Sequence, residues 1–427
     1  MTFSRRNFIH KLAGTSAAFA GLPFFMSADG KSFLKALQNV TSLSPEDCAT
    51  EEDFWHYVQQ TYTVSATVTN LNNGGVSPQP KVVQDAVERY NRLSNEAPSY
   101  YMWRVLDMGR EPLREKLADL AGCSAEEIAI DRNSTEALET VIFGLPLQKG
   151  DEVVLTKQDY PNMINAWKQR EARDGIVLNW LNFDFPIEDN DFIVREFSKA
   201  FTSKTKVVHI THIINWNGQI LPAKKIAKAA HERGIEVLVD AAHSFAHLDF
   251  KIPDLDCDYF GTSLHKWLCA PFGSGMLYMK KEKIKKLFPL FAAPKPDSDD
   301  IRKFEHLGTR SFAIEQAIAN AVNFHQMIGS ERKQKRLHYL KWYWTEKVKE
   351  LPGVSFGTSL NPEFSCAIAL LQIQNKTPQE VGQFLFRKYK IHTVPINWEN
   401  IHGLRITPNV YTTSKDLDRL VTAIREI

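Results

Sequence analysis

Lys266 lies in the segment GTSLHKWLCAPFGSGMLY (residues 261–278), among apolar runs that are typical of buried strands. Burial disfavours the charged form of an amine, so the pKa of a lysine held there falls and a nucleophilic amine becomes available near neutral pH. Such an amine can form a Schiff base with a carbonyl group. Because most lysines lie on the protein surface, Lys266 taken singly does not establish a site.

Further polar side chains stand where strand-like runs end, and ligands gather at the carboxyl ends of the strands in parallel α/β sheets. Asp240 ends the run IEVLVD, where a carboxylate is costly unless it is paired, and His243 follows it closely. Asn215 follows KVVHIT, and Tyr160 follows DEVVLT. Each has a structural alternative, since Asn215 could hold a turn and Tyr160 could pack in the core. The residues around Asp240 lack the spacing of a two-histidine, one-carboxylate facial triad, which argues against a metal site.

Ser134 and Thr135 begin a predicted helix after the run EIAID. Free backbone N–H groups and the helix dipole favour an anion at such a position, although the same residue types also serve as ordinary helix caps. Taken together, the chain offers an anion site, an aromatic ring, an asparagine, a strand-end aspartate and a lysine. Pyridoxal phosphate requires that set: donors for its phosphate, a face for its ring, a carboxylate for its pyridine nitrogen and a lysine for its aldehyde.

Two motifs give this constellation a family resemblance. DAAHS (residues 240–244) and SLHKW (residues 263–267) resemble segments of the fold-type I, class V aminotransferases. That family includes cysteine desulfurases, selenocysteine lyases and isopenicillin N epimerase-like proteins. The resemblance runs from NLNNGG (residues 70–75) to the C-terminus, and it implies the same fold and pyridoxal phosphate as cofactor.

The resemblance assigns roles around the cofactor ring. It implies that Lys266 forms the Schiff base, that Asp240 pairs with the pyridinium nitrogen and that Tyr160 stacks on the ring. These three are the expected catalytic residues. Asn215 and His243 are expected on the side of the phenolic oxygen.

The resemblance also covers the phosphate and the substrate. The family's phosphate-binding positions are matched by Ser134, Thr135, Ser263 and His265. EHLGTRS (residues 305–311) resembles the loop whose Thr309 reaches the phosphate of the neighbouring subunit, which implies a homodimer with sites at the interface. LRITPNVYTTSKDLDRL (residues 404–420) makes Arg405 the clamp for the substrate carboxylate, a task that suits a bidentate guanidinium. Asn73 is the second expected substrate-binding residue.

Two departures separate the chain from the desulfurases. KIHTVPINWENIHGLRIT (residues 390–407) contains no cysteine, whereas desulfurases carry a reactive cysteine upstream of the carboxylate arginine. Cys366 lies earlier, inside an apolar run, and is expected to be buried. Tyr160 stands where the desulfurases usually have histidine. Both departures favour the epimerase-like branch over persulfide chemistry.

Alternating strand-like and helix-like runs must position these residues. The runs rich in Val, Ile and Leu lie at residues 127–131, 151–156, 176–181, 206–211 and 235–240. They indicate an α/β fold with a mainly parallel sheet, which the family resemblance makes seven-stranded, and a smaller α+β C-terminal domain. The predicted divisions are a signal segment at 1–28, an N-terminal segment at 29–75 that packs on the small domain, a large cofactor-binding domain at 76–329 and a small domain at 330–427.

Composition narrows the function class. The chain has 427 residues, of which 43% are hydrophobic and 24% charged, with a formal net charge of +2. That balance is typical of a soluble globular protein and gives no reason to expect nucleic-acid binding. The five cysteines show no CxxC spacing, which indicates free thiols rather than a disulfide scaffold or a zinc site.

The N-terminus resembles a twin-arginine export signal. Arg5 and Arg6 precede the apolar run LAGTSAAFAGLPFF (residues 12–25), which is shorter than the roughly 20 residues that a membrane span needs. The signal is expected to be cleaved near Ala28 or retained as an anchor, and no other integral membrane span is expected. The predicted location is therefore the periplasm or outside the cell, with the cytoplasm as the alternative.

These features predict a pyridoxal phosphate enzyme that acts at Cα of an amino acid or related amine, with Lys266 as general base and acid. Proton return to the opposite face gives an epimer, proton transfer to the cofactor gives transamination, and loss of a β-substituent gives a C–S lyase. The sequence leaves these three reactions open. A cofactor-free binding protein that kept the fold is the non-enzyme alternative, against which the intact Lys266, Asp240 and Arg405 argue.

Overall fold

The structure is a computed structural model that describes residues 24–427. In chain order, its strands are β1 (Thr69–Asn70), β2 (Ile128–Asp131), β3 (Glu152–Thr156), β4 (Val177–Leu181), β5 (Thr205–Thr211), β6 (Glu236–Asp240), β7 (Tyr259–Ser263), β8 (Gly275–Met279), β9 (Val354–Phe356), β10 (Ala369–Ile373), β11 (Ile391–His392), β12 (Val394–Trp398) and β13 (Ile401–Ile406).

Its helices are α1 (Ala28–Asn39), α2 (Pro45–Thr50), α3 (Glu52–Gln60), α4 (Lys81–Glu96), α5 (Arg110–Ala121), α6 (Ser134–Gly144), α7 (Pro161–Asp174), α8 (Asn190–Ala200), α9 (Ala223–His231), α10 (Lys281–Ile284), α11 (Phe312–Ile328), α12 (Ser330–Val348), α13 (Pro378–Tyr389) and α14 (Ser414–Arg425). Shorter helical turns occupy Pro98–Tyr100, Tyr101–Leu106, Asp107–Gly109, Ala125–Glu127, Ile252–Leu255 and Ile301–Glu305.

A seven-stranded sheet forms the centre of the described part of the chain, in the order β2-β8-β7-β6-β5-β3-β4. β8 runs antiparallel to β2 and β7, and the other neighbouring strands are parallel. The mainly parallel sheet predicted from the sequence is thus confirmed. Each of the five strands predicted from Val, Ile and Leu runs ends at the predicted residue and begins within one residue of it, because such runs are typical of parallel strands covered on both sides.

Helices cover both faces of this sheet. Along β3, Val153 and Leu155 face one side, where they share a core with Trp167 of α7. Val154 faces the other side and shares a core with Ile318 of α11. Because both faces are occupied by helices, the carboxyl edge of the sheet is where polar side chains can meet a ligand.

The C-terminal part of the chain builds a second, antiparallel sheet in the order β12-β13-β10-β9, with Leu371 and Leu404 in its core. β1 pairs in parallel with β11, and a bridge between Asn72 and Thr407 extends this contact. The pairing lays the chain around Asn72 alongside β13, which carries Arg405.

Residues 42–53 are rich in polar side chains and are largely helical. Ser44 caps α2, since its Oγ accepts from the backbone N–H of Asp47 at 3.0 Å, and Pro45 suits the first turn. The helix is anchored to α12 through Arg336, whose Nη1 donates to the carbonyl of Ala49 at 2.9 Å. Helix capping therefore explains why this segment is helical although its hydrophobic pattern is weak.

The predicted signal segment lies mostly outside the described residues, and Arg5 and Arg6 are among those outside. Within residues 24–427, no helix is both long and apolar enough to cross a membrane. Gly329, with φ of 93°, separates α11 from α12, but the domain division at residues 75 and 329 stays a prediction. All five cysteines are free thiols, and four of them are buried.

Candidate active site

The carboxyl edge of the sheet brings together the ends of β6 and β7. Asp240 ends β6 and pairs in register with Gly261 of β7, and Ser263 ends β7. Lys266 follows three residues later in the turn that leads towards β8, where its carbonyl accepts from the backbone N–H of Cys269 at 3.1 Å. Parallel strands present their carboxyl ends at one edge, which is why residues distant in sequence converge here.

Lys266 is partly buried, and its Nζ lies 3.2 Å from Nε2 of His243 and 5.8 Å from the centroid of the Tyr160 ring. Burial lowers the pKa of Lys266 to about 8; the Asp240 carboxylate opposes this shift, and the positive charge of Arg405 adds to it. The neutral amine is therefore accessible near neutral pH, as a nucleophile or as a base.

Asp240 is buried, and its Oδ1 accepts from the backbone N–H of Ala242 at 2.9 Å. Burial raises the pKa of Asp240, while nearby His209, the Ala242 amide and Lys266 act in the opposite direction. A cation bound beside this carboxylate would stabilise its ionised form. Among residues 24–427, no group of three or more His, Cys, Asp or Glu side chains could hold a metal ion.

The N-terminus of α6 lies against the end of β7. The backbone N–H of Ser134 donates to Oγ of Ser263 at 2.8 Å, and the two hydroxyl oxygens are 3.0 Å apart. Gly275 permits this approach, because a Cβ there would lie 2.5 Å from the nitrogen of Asn133. With Thr135 in the first turn, the helix start combines hydroxyls with backbone N–H groups, a combination that suits a phosphate.

His265 is placed at the same edge. It is half-buried, and its Nδ1 lies 3.1 Å from the carbonyl oxygen of Ser274. Burial and the charge of Lys266 lower the pKa of His265, so the neutral ring donates from Nδ1 to that carbonyl. This hydrogen bond fixes the orientation of the ring.

Arg405 is a buried cation that has no counter-ion among residues 24–427. Its Nη1 donates to the carbonyl of Asn215 at 2.7 Å and its Nη2 to Oδ1 of Asn72 at 3.2 Å, whereas its buried Nε has no partner in the described part of the chain. Burial lowers the pKa of Arg405 to about 10. An uncompensated guanidinium in such a position is costly, and a bound carboxylate would remove that cost.

An aromatic stack stands beside Lys266. Tyr160 and Trp216 are stacked with ring centroids 6.5 Å apart, and Trp216 and Trp398 with centroids 5.0 Å apart. Nε1 of Trp398 donates to the carbonyl of Lys157 at 2.9 Å, which ties the C-terminal sheet to the loop that carries Tyr160. Tyr160 keeps 39% of its surface exposed, so the ring remains able to contact a flat ligand.

Asn73 lies close to the site, but its side chain is fully engaged. Its Oδ1 accepts from Asn70 and Tyr411, and its Nδ2 donates to the carbonyls of Asn70 and Thr407. Its neighbour Asn72 is the asparagine that contacts Arg405. The contacts of Asn73 therefore describe an anchor for the loop, and its role towards substrate stays a prediction.

Thr309 does not join the cluster around Lys266 in this chain. It lines a separate cavity between α5, α6 and α11, together with Arg110, Asp131 and Arg310. Its predicted contact is with the cofactor of a neighbouring subunit, which a single chain does not test.

The side chains that the structure brings together fit pyridoxal phosphate. The start of α6 with Ser134 and Ser263 would hold the phosphate, Asp240 the pyridine nitrogen, Tyr160 one face of the ring and Lys266 the aldehyde. Oδ1 of Asn215 is buried at this edge and has no hydrogen-bond partner among the residues that the structure describes, as expected of a group that binds a ligand. The donor set thus matches each polar part of the cofactor.

Sequence reasoning missed three contributors. Trp267 donates from Nε1 to Nδ1 of His243 at 3.4 Å, and Asn72 contacts Arg405. Asp159 is buried beside Thr211, which donates to its Oδ1 at 2.7 Å, and burial raises the pKa of Asp159 to about 6. Only Asp159 carried a readable signal, as a carboxylate just after an apolar strand.

The family model described as aminotransferase class-V matches residues 69–420 of this chain. The isopenicillin N epimerase of Amycolatopsis lactamdurans is 26% identical over 392 residues, which cover 87% of this chain and 98% of that protein. A probable cysteine desulfurase of Halalkalibacterium halodurans is 30% identical, with 83% of this chain and 92% of that protein covered.

Solved structures agree in fold. The Escherichia coli cysteine desulfurase CsdA superposes with a TM-score of 0.77 at 19% identity, covering 86% of this chain and 97% of that chain. A lysine-to-alanine variant of C-DES, with glycine covalently linked to its PLP cofactor, gives a TM-score of 0.76 at 20% identity, covering 85% and 97%. Because the family model matches most of this chain, the chain belongs to the class V aminotransferase family.

Proposed function

We propose that this chain is a pyridoxal phosphate enzyme that transfers a proton at Cα of an amino acid, in an isopenicillin N epimerase-like reaction. The observation that carries the proposal is that two groups lie in the same site. One is Lys266, whose pKa burial lowers to about 8. The other is Arg405, a buried guanidinium without a carboxylate partner in the described chain. A base and a carboxylate clamp at one strand edge suit an α-amino acid whose Cα–H bond is broken.

Pyridoxal phosphate, when bound, supplies an electron sink for the negative charge that develops at Cα. The chain's own groups do the rest. Arg405 binds the substrate carboxylate through its guanidinium and so fixes where Cα lies. Asp240, at the end of β6, would pair with the pyridine nitrogen, and the Tyr160 ring offers a face to a flat ligand. Nζ of Lys266 then accepts the Cα proton and returns it, and return to the opposite face gives the epimer.

Persulfide chemistry of the desulfurase kind has little support in this chain. Residues 390–407 contain no cysteine. Cys366 is fully buried, and burial raises the pKa of its thiol to about 12, so the nucleophilic thiolate is suppressed at neutral pH. A C–S lyase that uses no protein thiol and an aminotransferase remain the alternative reactions, and they share the same first proton transfer.

The reaction is tested by incubating the purified protein and pyridoxal phosphate with L- and D-amino acids in D₂O. Deuterium incorporation at Cα together with racemisation supports the proposal. Keto acid without racemisation would assign an aminotransferase, and sulfide from cysteine or cystine would assign a lyase. A protein that stays colourless with pyridoxal phosphate, and whose Lys266→Ala variant behaves identically, would be the non-catalytic binding protein.

We also propose that the enzyme is a homodimer. Trp103, Met108 and Phe272 are exposed large apolar side chains, and Trp103 packs edge-on against Phe312 just after the loop that carries Thr309. Phe272 precedes Gly273 and Met108 lies two residues before Arg110, and both Gly273 and Arg110 line the same cavity as Thr309. Exposed apolar side chains beside one cavity favour a protein–protein interface. Light scattering should give twice the chain mass, and Met108→Glu should reduce it; a monomer that binds pyridoxal phosphate normally would contradict the proposal.

Export is a separate proposal, supported by Arg5 and Arg6 ahead of a short apolar run. Fractionation should find the protein in the periplasm or outside the cell, and a variant with both arginines changed to lysine should stay in the cytoplasm. A cytoplasmic wild-type protein with an intact N-terminus would contradict export.

A further inference from the structure

Trp267 directly follows Lys266, and its buried indole is held between two histidines. The indole stacks on His247, with ring centroids 3.7 Å apart and planes inclined by 17°. Its Nε1–H donates to Nδ1 of His243 at 3.4 Å. Stacking on His247 therefore fixes the plane of the indole, and the hydrogen bond to His243 fixes the direction of its N–H group.

His247 holds the same turn in place. Its Nε2 accepts from the backbone N–H of Ala367 at 3.0 Å, and burial lowers the pKa of His247 well below its usual range, so the neutral ring carries its proton on Nδ1. That Nδ1–H donates to the carbonyl of His243 at 2.7 Å. On the other side, the buried amine of Lys333 in α12 donates to the carbonyl of Trp267. Both Trp267 and His243 are thus fixed by contacts outside their own turn.

The tautomer of His243 follows from these contacts. An indole N–H can only donate, so Nδ1 of His243 is an acceptor and carries no proton. Burial and the positive charge of Arg405 lower the pKa of His243 well below its usual 6.5, so the ring is neutral. Its single proton therefore lies on Nε2, which is 3.2 Å from Nζ of Lys266.

A donor at that distance needs a lone pair, and a lysine amine offers one only when it is unprotonated. We propose that Trp267 is a positioning residue that fixes His243 in the Nε2–H tautomer, so that His243 donates to the free amine of Lys266 and keeps it ready to accept a proton. The proposal rests on the function proposed above, in which Lys266 moves a proton at Cα.

The other groups that face Lys266 do not supply this control. Asp240, from β6, favours the ammonium form, and Arg405, from β13, opposes it through its charge. The ring of Tyr160, at the start of α7, offers only its π-face, 5.8 Å from Nζ. If the His243 proton moved to Nδ1, Nε2 would present a lone pair and would stabilise the ammonium form instead. The position of one proton on His243 thus decides whether this ring favours the neutral amine or the ammonium form of Lys266.

The tautomer can be observed directly. Neutron diffraction from crystals of the full-length chain, deuterated and freed of cofactor by dialysis against hydroxylamine, which releases the aldehyde from Lys266 as an oxime, should show deuterium on Nε2 of His243 and none on Nδ1. Deuterium on Nδ1 would overturn the proposal. This measurement needs no variant, so it decides the matter even if Trp267→Phe does not fold.

The consequence for Lys266 is tested with Trp267→Phe. The rate of Schiff-base formation with added pyridoxal phosphate, followed by visible absorption from pH 6 to pH 10, reports the neutral fraction of Lys266. We expect the midpoint of that profile to rise by about one pH unit in Trp267→Phe, a tenfold change in the proton affinity of the amine. A merely structural role would change the amplitude or rate without moving the midpoint.

Trp55→Phe is the matched control, since Trp55 is equally buried and its Nε1 donates to the carbonyl of Cys48 at 2.7 Å. Its profile should keep the wild-type midpoint. An unchanged midpoint in folded Trp267→Phe would overturn the proposal. Failure of the wild-type protein to form any Schiff base would instead refute the proposed function, while the neutron result on His243 would still stand.

Discussion

Arg114 and Arg405 are both buried arginines, but their surroundings differ. Arg114, which is 1% exposed, donates to both carboxylate oxygens of Glu305 at 2.5 and 2.9 Å, and these contacts raise its pKa. Arg405, which is 6% exposed, contacts one carbonyl and one amide oxygen, and burial lowers its pKa to about 10. One charge is satisfied within the fold and the other is not.

The difference separates structure from function. A buried ion pair that is bidentate and hydrogen-bonded, as between Arg114 and Glu305, has no capacity left for a ligand, and breaking it harms the fold. A buried cation without a counter-ion lowers the stability of the fold and is tolerated where a ligand supplies the missing charge. The contrast therefore points to Arg405, rather than Arg114, as a binding group.

The sharpest test of this contrast is Arg405→Gln. We expect kcat/KM for the best amino-acid substrate to fall about 10³-fold, close to 4 kcal/mol, because the carboxylate loses its charged fork. Thermal unfolding should occur at the same temperature or higher, since an unpaired buried charge has been removed. Kinetics and calorimetry on the same preparation check both halves. A strongly destabilised variant with normal kinetics would reverse the assignment.

Arg114→Met should show the opposite pattern. Removal of this partner leaves Glu305 buried with a weakened set of contacts, and we expect a loss of about 3 kcal/mol in the free energy of unfolding by urea. Activity per folded molecule should be unchanged. The control is Glu111→Gln, which removes a half-exposed carboxylate that contacts both Arg114 and Arg302 and should cost less than about 1 kcal/mol. Equal losses from the two variants would show that burial of the pair is unimportant.

The pH dependence of stability extends the comparison to Lys266. Its folded pKa, about 8, lies below its ordinary value of 10.5. Between these values the unfolded chain binds a proton that the folded chain does not, so the stability of the cofactor-free protein rises with pH across this window. At pH 7, Lys266→Met should be more stable than wild type by about 3 kcal/mol, and the gap should fall below about 1 kcal/mol by pH 10.

Urea unfolding of both proteins at pH 7, 8.5 and 10 measures that gap. Arg114→Met is the control, because the pKa of Arg114 is raised and the Glu111 beside it has a pKa of about 2. The destabilisation of Arg114→Met should therefore be the same at all three pH values. A pH-independent gap for Lys266→Met would mean that Lys266 is not held in an environment that disfavours its charge.

The sequence was most informative where local patterns decide the structure. Runs of Val, Ile and Leu located the central strands, and the residues at their ends, such as Asp240, did converge at one edge. It could not reveal contacts set by packing between distant segments. Arg114 and Glu305 are 191 positions apart, and Trp267 offers no sign in sequence that its indole directs His243. Such contacts depend on side-chain direction, which periodicity does not encode.

The sequence also could not show which of the adjacent residues Asn72 and Asn73 serves the substrate site, and this question can be tested. Asn72 accepts from Nη2 of Arg405, so Asn72→Ala should loosen the guanidinium and raise KM about fivefold, close to 1 kcal/mol, with little change in thermal stability. Asn73→Ala should instead lower the melting temperature, because its amide ties the loop to Thr407 and Tyr411. The opposite result would be a raised KM at unchanged stability in Asn73→Ala together with an unchanged KM in Asn72→Ala. It would support the prediction that Asn73 binds the substrate, and the hydrogen bond from Arg405 to Asn72 would be incidental.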